Sequence, residues 1–153
     1  MADIDIKGMG HVGIRVHELE RSLAFYALLG FRKVVGPIGP EPVAILTHPA
    51  GVEINLVLNA PDAEVPNPLM DVEEKLPGYT HIALLCGDLD GAQAALEAAG
   101  HPLSGRMELP FGLRAIFVRD PDRNVVELDQ LPDGVTLDEV HARLAKGDLD
   151  LPD

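Results

Sequence analysis

Three residues carry the first chemical suggestion. His11 opens a short stretch rich in Val and Ile, His81 opens a second, and Glu127 stands inside the apolar run Val125-Val126-Glu127-Leu128. A charged side chain in such a run is seldom buried unless it is paired or holds a metal. Two imidazoles and one carboxylate make a two-His, one-carboxylate set for a divalent ion, with positions left open for substrate. Asn55 stands in a comparable run, Ile54-Asn55-Leu56-Val57-Leu58. Arg15 lies four residues past His11, so strand alternation puts both on one face. Each residue also has a plain structural reading. The histidines are then polar strand starts, Asn55 is a hydrogen-bonded strand residue and Arg15 a rim ion pair.

The elements that must position these residues repeat along the chain. Residues 11–30, HVGIRVHELERSLAFYALLG, align with residues 81–100, HIALLCGDLDGAQAALEAAG, at an offset of 70. Each window opens with His and closes with Gly. Residues 43–58, VAILTHPAGVEINLVL, align with 115–130, AIFVRDPDRNVVELDQ, at an offset of 72. Each of these is an apolar run, a turn with Pro at its second position and a second apolar run, the pattern of a hairpin. Asn55 therefore stands where Glu127 stands in the other copy.

Both copies read locally as β-α-β-β-β. The first predicts a strand over 10–16, a helix over 19–29 and strands over 31–36, 43–48 and 52–58. The helix is expected to turn Leu19, Leu23, Tyr26 and Leu29 to one side, with Gly30 as its C-terminal stop. The second copy predicts a strand over 80–86, a helix over 89–99 and strands near 101–107, 113–119 and 124–129. The modules are taken as 9–58 and 79–130. The Pro-rich acidic segment between them, 59–78, is long enough for a covering role. After them, Thr136 and Glu139 have capping-box spacing, which predicts a short helix within 131–153 followed by a frayed tail. His17, His48, His101 and His141 read as loop or surface residues, and Cys86, matching Val16, as a core residue.

Composition bounds the function. The chain has 153 residues, 46% hydrophobic and 24% charged, which suits one folded domain. Asp and Glu number 25 against 12 Lys and Arg, a formal net charge of −13. Nucleic acid and anionic membrane partners both need a basic footprint and are not expected. A single cysteine, Cys86, excludes an intrachain disulfide and a Cys-rich zinc site. The longest apolar run is about nine residues, against the roughly 20 of a membrane helix. No basic start followed by an apolar core is seen, so a cytoplasmic setting is expected.

Taken together, H-V-G-I-R-V-x-E-L-E-R-S-L-A-F-Y near the start, G-Y-T-H-I-A-L in the middle and F-V-R-D-P-D-R-N-V-V-E-L near the end resemble the vicinal oxygen chelate superfamily. That superfamily includes glyoxalase I, bleomycin-resistance proteins, extradiol dioxygenases, fosfomycin-resistance enzymes and methylmalonyl-CoA epimerase. The resemblance covers residues 9–130. It implies an α+β fold of two tandem βαβββ modules forming a half-barrel cleft. It also implies a divalent metal on His11, His81 and Glu127, with Fe(II) expected first and Mn(II), Ni(II) or Zn(II) as alternatives. The glyoxalase-type fourth ligand, a carboxylate, falls on Asn55. Glu53 is on the same strand face two residues earlier and is the other candidate for a catalytic base.

That departure bears on the reaction. Proton transfer beside a metal-bound carbonyl needs a base, and a neutral amide cannot accept the proton. Extradiol dioxygenases use two His and one Glu, which matches, although the Tyr they carry ten residues before that Glu falls here on Phe117. Relatives hold a substrate carboxylate with an Arg at the place of Arg15, so Arg15 and Asn55 are the substrate-binding candidates. A dioxygenase acting on a small substrate with adjacent oxygens is the first expectation. A glyoxalase-type lyase or isomerase and a metal-free drug-sequestering protein are the alternatives. A homodimer is expected.

Overall fold

The structure is a computed structural model and describes residues 4–61, 65–109 and 111–147. The expected frayed tail, 148–153, lies outside the described residues, as does the middle of the connecting segment, 62–64. The described elements run β1 (Val12–Arg15), α1 (Leu19–Leu28), β2 (Arg32–Ile38), β3 (Val43–His48), β4 (Val52–Val57), β5 (His81–Leu85), α2 (Leu89–Ala98), β6 (Leu103–Glu108), β7 (Arg114–Arg119), β8 (Val125–Gln130) and α3 (Leu137–Ala145). This is the expected β-α-β-β-β order, twice, with a terminal helix. The chain divides into two compact units, Met1–Val65 and Pro66–Asp153.

Each unit is one four-stranded sheet with its helix, ordered β1-β4-β3-β2 in the first and β5-β8-β7-β6 in the second. The sheets are open. The first strand pairs in parallel with the last, and the other pairs are antiparallel. Register makes the repeat quantitative. Val12 faces Ile54 in the first unit and Ile82 faces Val126 in the second, the same pair displaced by 70 and 72 residues. Ile45 opposite Asn55 likewise becomes Phe117 opposite Glu127.

Alternation assigns the faces. In the first unit Ile14, Ala44, Leu46, Ile54 and Leu56 are buried, together with Phe25 and Tyr26 of α1 and Phe31 after it. Phe25 meets Tyr26 edge-on at 5.1 Å, and Tyr26 meets Phe31 at 6.1 Å. In the second unit Ile116, Val118, Val126 and Leu128 are buried, with Leu89 and Leu96 of α2 and Val140 of α3. Thr136 and Glu139 form the expected capping box at the start of α3.

Both long helices end alike. The N–H of Phe31 reaches back to the Tyr26 carbonyl, and that of His101 to the Leu96 carbonyl. Gly30 and Gly100 take the left-handed conformation between, at φ 89° and 85°. Gly30 is needed twice over, because a Cβ there would lie 2.7 Å from His48 Nε2.

Four expectations need correction. His11 lies immediately before β1, not within it. The fully buried face of α1 is Ser22, Phe25 and Tyr26, with Leu19, Leu23 and Leu29 only half-buried. Phe25 is bulkier than any leucine and turns the helix toward itself. Cys86 is half-buried, whereas its repeat mate Val16 is fully buried. His48 ends β3 half-buried, 5.2 Å from the Phe31 ring, and accepts a hydrogen bond from the Ala50 N–H. His17 and His101 lie in loops, half-buried, and His141 of α3 is exposed, in keeping with the loop-or-surface reading. Among the described residues no helix is long and apolar enough to cross a membrane.

Candidate metal centre

The second unit assembles the better-defined part of the site. β5 pairs in parallel with β8, with Ala83 opposite Glu127. His81 is two residues before Ala83, so it stands on the same face one pleat away. There His81 Nε2 lies 2.8 Å from Glu127 Oε2, and Thr80 Oγ1 lies 2.9 Å from Nδ1. One ring nitrogen is thus engaged from behind and the other is directed at the carboxylate. The Phe117 ring stands edge-on to His81 at 6.3 Å.

Glu127 is nearly buried. Burial pushes its carboxyl above the usual carboxylate range, and the charge and hydrogen bond of Asp129 add to this, against a smaller opposing pull from His81. Asp129 is one pleat further along the same face. Burial raises its pKa too, against opposing effects of the Glu127 hydrogen bond and the His81 field. A nearly buried and a half-buried carboxyl in contact are each hard to ionise beside the other, which is the setting in which a cation or a shared proton is held. Asp129 was not a candidate from sequence. The signal available was its position two residues after Glu127 at the end of the same apolar run.

The first unit carries the repeat equivalents. His11 is exposed and Gly13 is opposite Asn55. The register settles that Asn55, not Glu53, is the counterpart of Glu127, because Glu53 corresponds to Val125. Asn55 Oδ1 is buried and has no hydrogen-bond partner among the described residues. Arg15 is exposed and its Nε donates to Asn59 Oδ1 at 2.7 Å. Of the residues singled out from sequence, His81 and Glu127 are brought together within one unit. His11, Arg15, Glu53 and Asn55 share the open face and rim of the other. Within either unit, among the described residues, no three His, Cys, Asp or Glu side chains form a ligand cluster.

The connecting segment has a definite partner. From Pro66 onward it belongs to the second unit and is bonded to the β7–β8 turn. Asn67 Nδ2 donates to Asn124 Oδ1 and to the Asp122 carbonyl, and Arg123 Nε donates to Asp71 Oδ1. Asp120, buried at the head of the turn, accepts from the Asp122 and Asn124 N–H groups. Tyr79, between this segment and His81, is 97% exposed.

The family model of the Glyoxalase/Bleomycin resistance protein/Dioxygenase superfamily matches residues 8–128. The chain belongs to that superfamily. Among solved structures, a glyoxylase/bleomycin resistance protein/dioxygenase domain from Frankia sp. EAN1pec is 24% identical with TM-score 0.72, covering 86% of this chain and 96% of that one. A mutant of the fosfomycin resistance protein FosX from Listeria monocytogenes, complexed with Mn(II) and 1S,2S-dihydroxypropylphosphonic acid, is 18% identical with TM-score 0.69, covering 91% and 100%. Lactoylglutathione lyase from Agrobacterium tumefaciens is 18% identical with TM-score 0.59, covering 82% and 94%. These likenesses show the fold. Comparison with curated proteins gives no match.

Proposed function

We propose that this member of the superfamily is a divalent-metal-dependent enzyme acting on a small substrate with two adjacent oxygens, with dioxygenase chemistry as the leading reading. The metal would be held by His81 and Glu127 of the second unit and His11 of the first. The observation that carries the reading is the 2.8 Å contact between exposed His81 and nearly buried Glu127. An imidazole nitrogen and a carboxylate oxygen are a fitting donor pair for a divalent ion. Thr80 sits behind Nδ1, where the hydrogen-bond partners of ligating histidines hold the ring in orientation. A bound divalent ion would supply Lewis-acid activation of the adjacent oxygens, and dioxygen activation if it is Fe(II).

The chain's own residues then divide the remaining work. Asn55 presents a neutral amide where a base would be needed for isomerisation, so it orients substrate without taking a proton. That is the reason to place dioxygenase above lyase or isomerase chemistry. Arg15, whose Nε donates to Asn59 Oδ1, is the residue assigned to an anionic or carbonyl oxygen of the substrate. A homodimer and a cytoplasmic setting belong to the same proposal.

The test is anaerobic metal analysis of protein purified without chelator, followed by oxygen-uptake screening with catechols and methylglyoxal–thiol adducts. One equivalent of metal, lost in His81→Ala, is the expected result. A metal-free protein that still binds ligand tightly would replace the enzyme reading with sequestration. Rapid isomerisation of a hemithioacetal would make Glu53 the candidate base and displace the dioxygenase reading.

A further inference from the structure

Beside His81 and Glu127 the open face of the second sheet is unexpectedly apolar. Strand register puts Leu85 two pleats beyond His81 on β5, Phe117 opposite Glu127 on β7, and Met107 on β6 opposite Ala115. All share the face that carries the ligand pair. Leu85 is 59% exposed and Met107 39%. The repeat sharpens the point, because Leu85 occupies the position that is Arg15 in the first unit. The cation on this face, Arg119, donates to the Arg123 carbonyl and is thereby turned to the β7–β8 turn.

We propose that this face takes an uncharged, apolar substituent of the substrate, so that the substrate class is a vicinal-oxygen chelator with a hydrocarbon or aromatic body on the side of Leu85, Phe117 and Met107. This rests on the function proposed above and narrows it. Removing exposed Leu and Met surface from water supplies the affinity, and an apolar lining gives an anionic substituent no partner.

The experiment is anaerobic calorimetry on the Zn(II)-loaded full chain with three probes: catechol, 4-tert-butylcatechol and 3,4-dihydroxybenzoate. The tert-butyl group is expected to tighten binding about tenfold over catechol, the value of one or two buried methylene equivalents. Leu85→Ala should remove most of that gain, with Met107→Ala removing a smaller part. Leu85→Arg should shift the ratio of the two substituted probes at least about tenfold toward 3,4-dihydroxybenzoate. Absence of binding by 4-tert-butylcatechol, or a tert-butyl gain untouched by Leu85→Ala, overturns the proposal. So does a Leu85→Arg protein whose oligomeric state changes by sedimentation while its probe ratio does not, since a second copy then covers this face. Metal-stripped protein run in parallel keeps the two readings apart. If catechol binding ignores the metal, the proposed function fails, while the tert-butyl increment still decides what this face binds.

Discussion

The two units share one backbone plan and differ in what they hang on it. Both pair their first and last strands in the same parallel register, and both end their long helix with a left-handed glycine. On the buried face apolar residues answer apolar residues: Ile14 and Leu84, Leu46 and Val118, Ile54 and Val126, Leu56 and Leu128. On the open face the correspondence breaks. Glu127 answers Asn55, Asp129 answers Val57, and Leu85 answers Arg15. Packing constrains one side of each sheet, and the other side is free to specialise. The first unit offers Asn55, Arg15 and the carboxyl of Glu53, whereas the second offers the adjacent carboxyls of Glu127 and Asp129 set among apolar side chains.

The largest test concerns how each helix is anchored. Phe25 is fully buried against Tyr26, but its repeat mate Ala95 is exposed. Phe25→Ala should cost about 3–5 kcal/mol in chemical unfolding, the usual range for emptying a core phenylalanine site. Ala95→Gly should cost only about 1 kcal/mol, a matter of helix propensity. Equal losses would mean that the two helices are anchored alike, against the burial pattern.

Next comes the asymmetry of the metal ligands. Glu127→Gln should lower metal affinity beyond the roughly 10–100-fold that loss of a supporting group costs. Asn55→Ala should leave one equivalent of metal in place. It should not destabilise the fold, since it removes a buried acceptor that has no partner among the described residues. Metal content by mass spectrometry, with thermal melts, reads both variants. Metal loss in Asn55→Ala would make the amide a ligand and erase the distinction between the two positions.

The sequence made most of this comparison legible because the repeat is carried by features with direct backbone meaning. Gly30 and Gly100 mark helix ends, the Pro-containing turns mark hairpins, and alternation assigns faces. The ligand pair His81 and Glu127 could be read for the same reason. Asp129 could not, because a carboxylate at a strand end resembles any rim residue until register places it beside Glu127. Phe25 was missed because leucine spacing also fits a helical face, and only packing decides which stripe goes inward. The role of the connecting segment was hidden because its partners, Asp122 to Asn124, are about fifty residues away in sequence.

Helix starts give a smaller contrast. Asp88 accepts from the Gly91 N–H at the head of α2, at 2.9 Å, whereas Glu18 at the head of α1 makes no side-chain cap. The extra methylene of Glu makes it a poor reach for the N3 amide. Asp88→Ala should cost about 1 kcal/mol by urea unfolding and Glu18→Ala close to nothing. A Glu18→Asp variant that gains no stability would show that side-chain length is not what separates the two starts.

The smallest expected effect lies in the hairpin turns and changes with pH. Gly51 and Arg123 occupy equivalent positions, and both are left-handed, at φ 81° and 68°. Such a conformation costs a non-glycine residue roughly 1–2 kcal/mol. In compensation Arg123 holds Asp71. Burial raises the Asp71 pKa, but the Arg123 hydrogen bond, the Asn67 N–H and the charges of Arg123 and Arg119 outweigh it, and the net direction is below the ordinary 3.8. A carboxyl with a lowered folded pKa contributes stability above its unfolded value and loses that contribution as pH falls through the folded one. At neutral pH, Arg123→Gly therefore gains relief at the turn but loses a pair worth up to about 1 kcal/mol, so the net change is small. Below pH 3.8 the pair fades in the wild type, and the glycine variant should become relatively more stable. Urea unfolding of both proteins at neutral pH and in acid reads the difference. A stability difference that stays constant between the two conditions would mean that the Asp71–Arg123 pair contributes nothing, and that the second unit's turn tolerates its arginine for another reason.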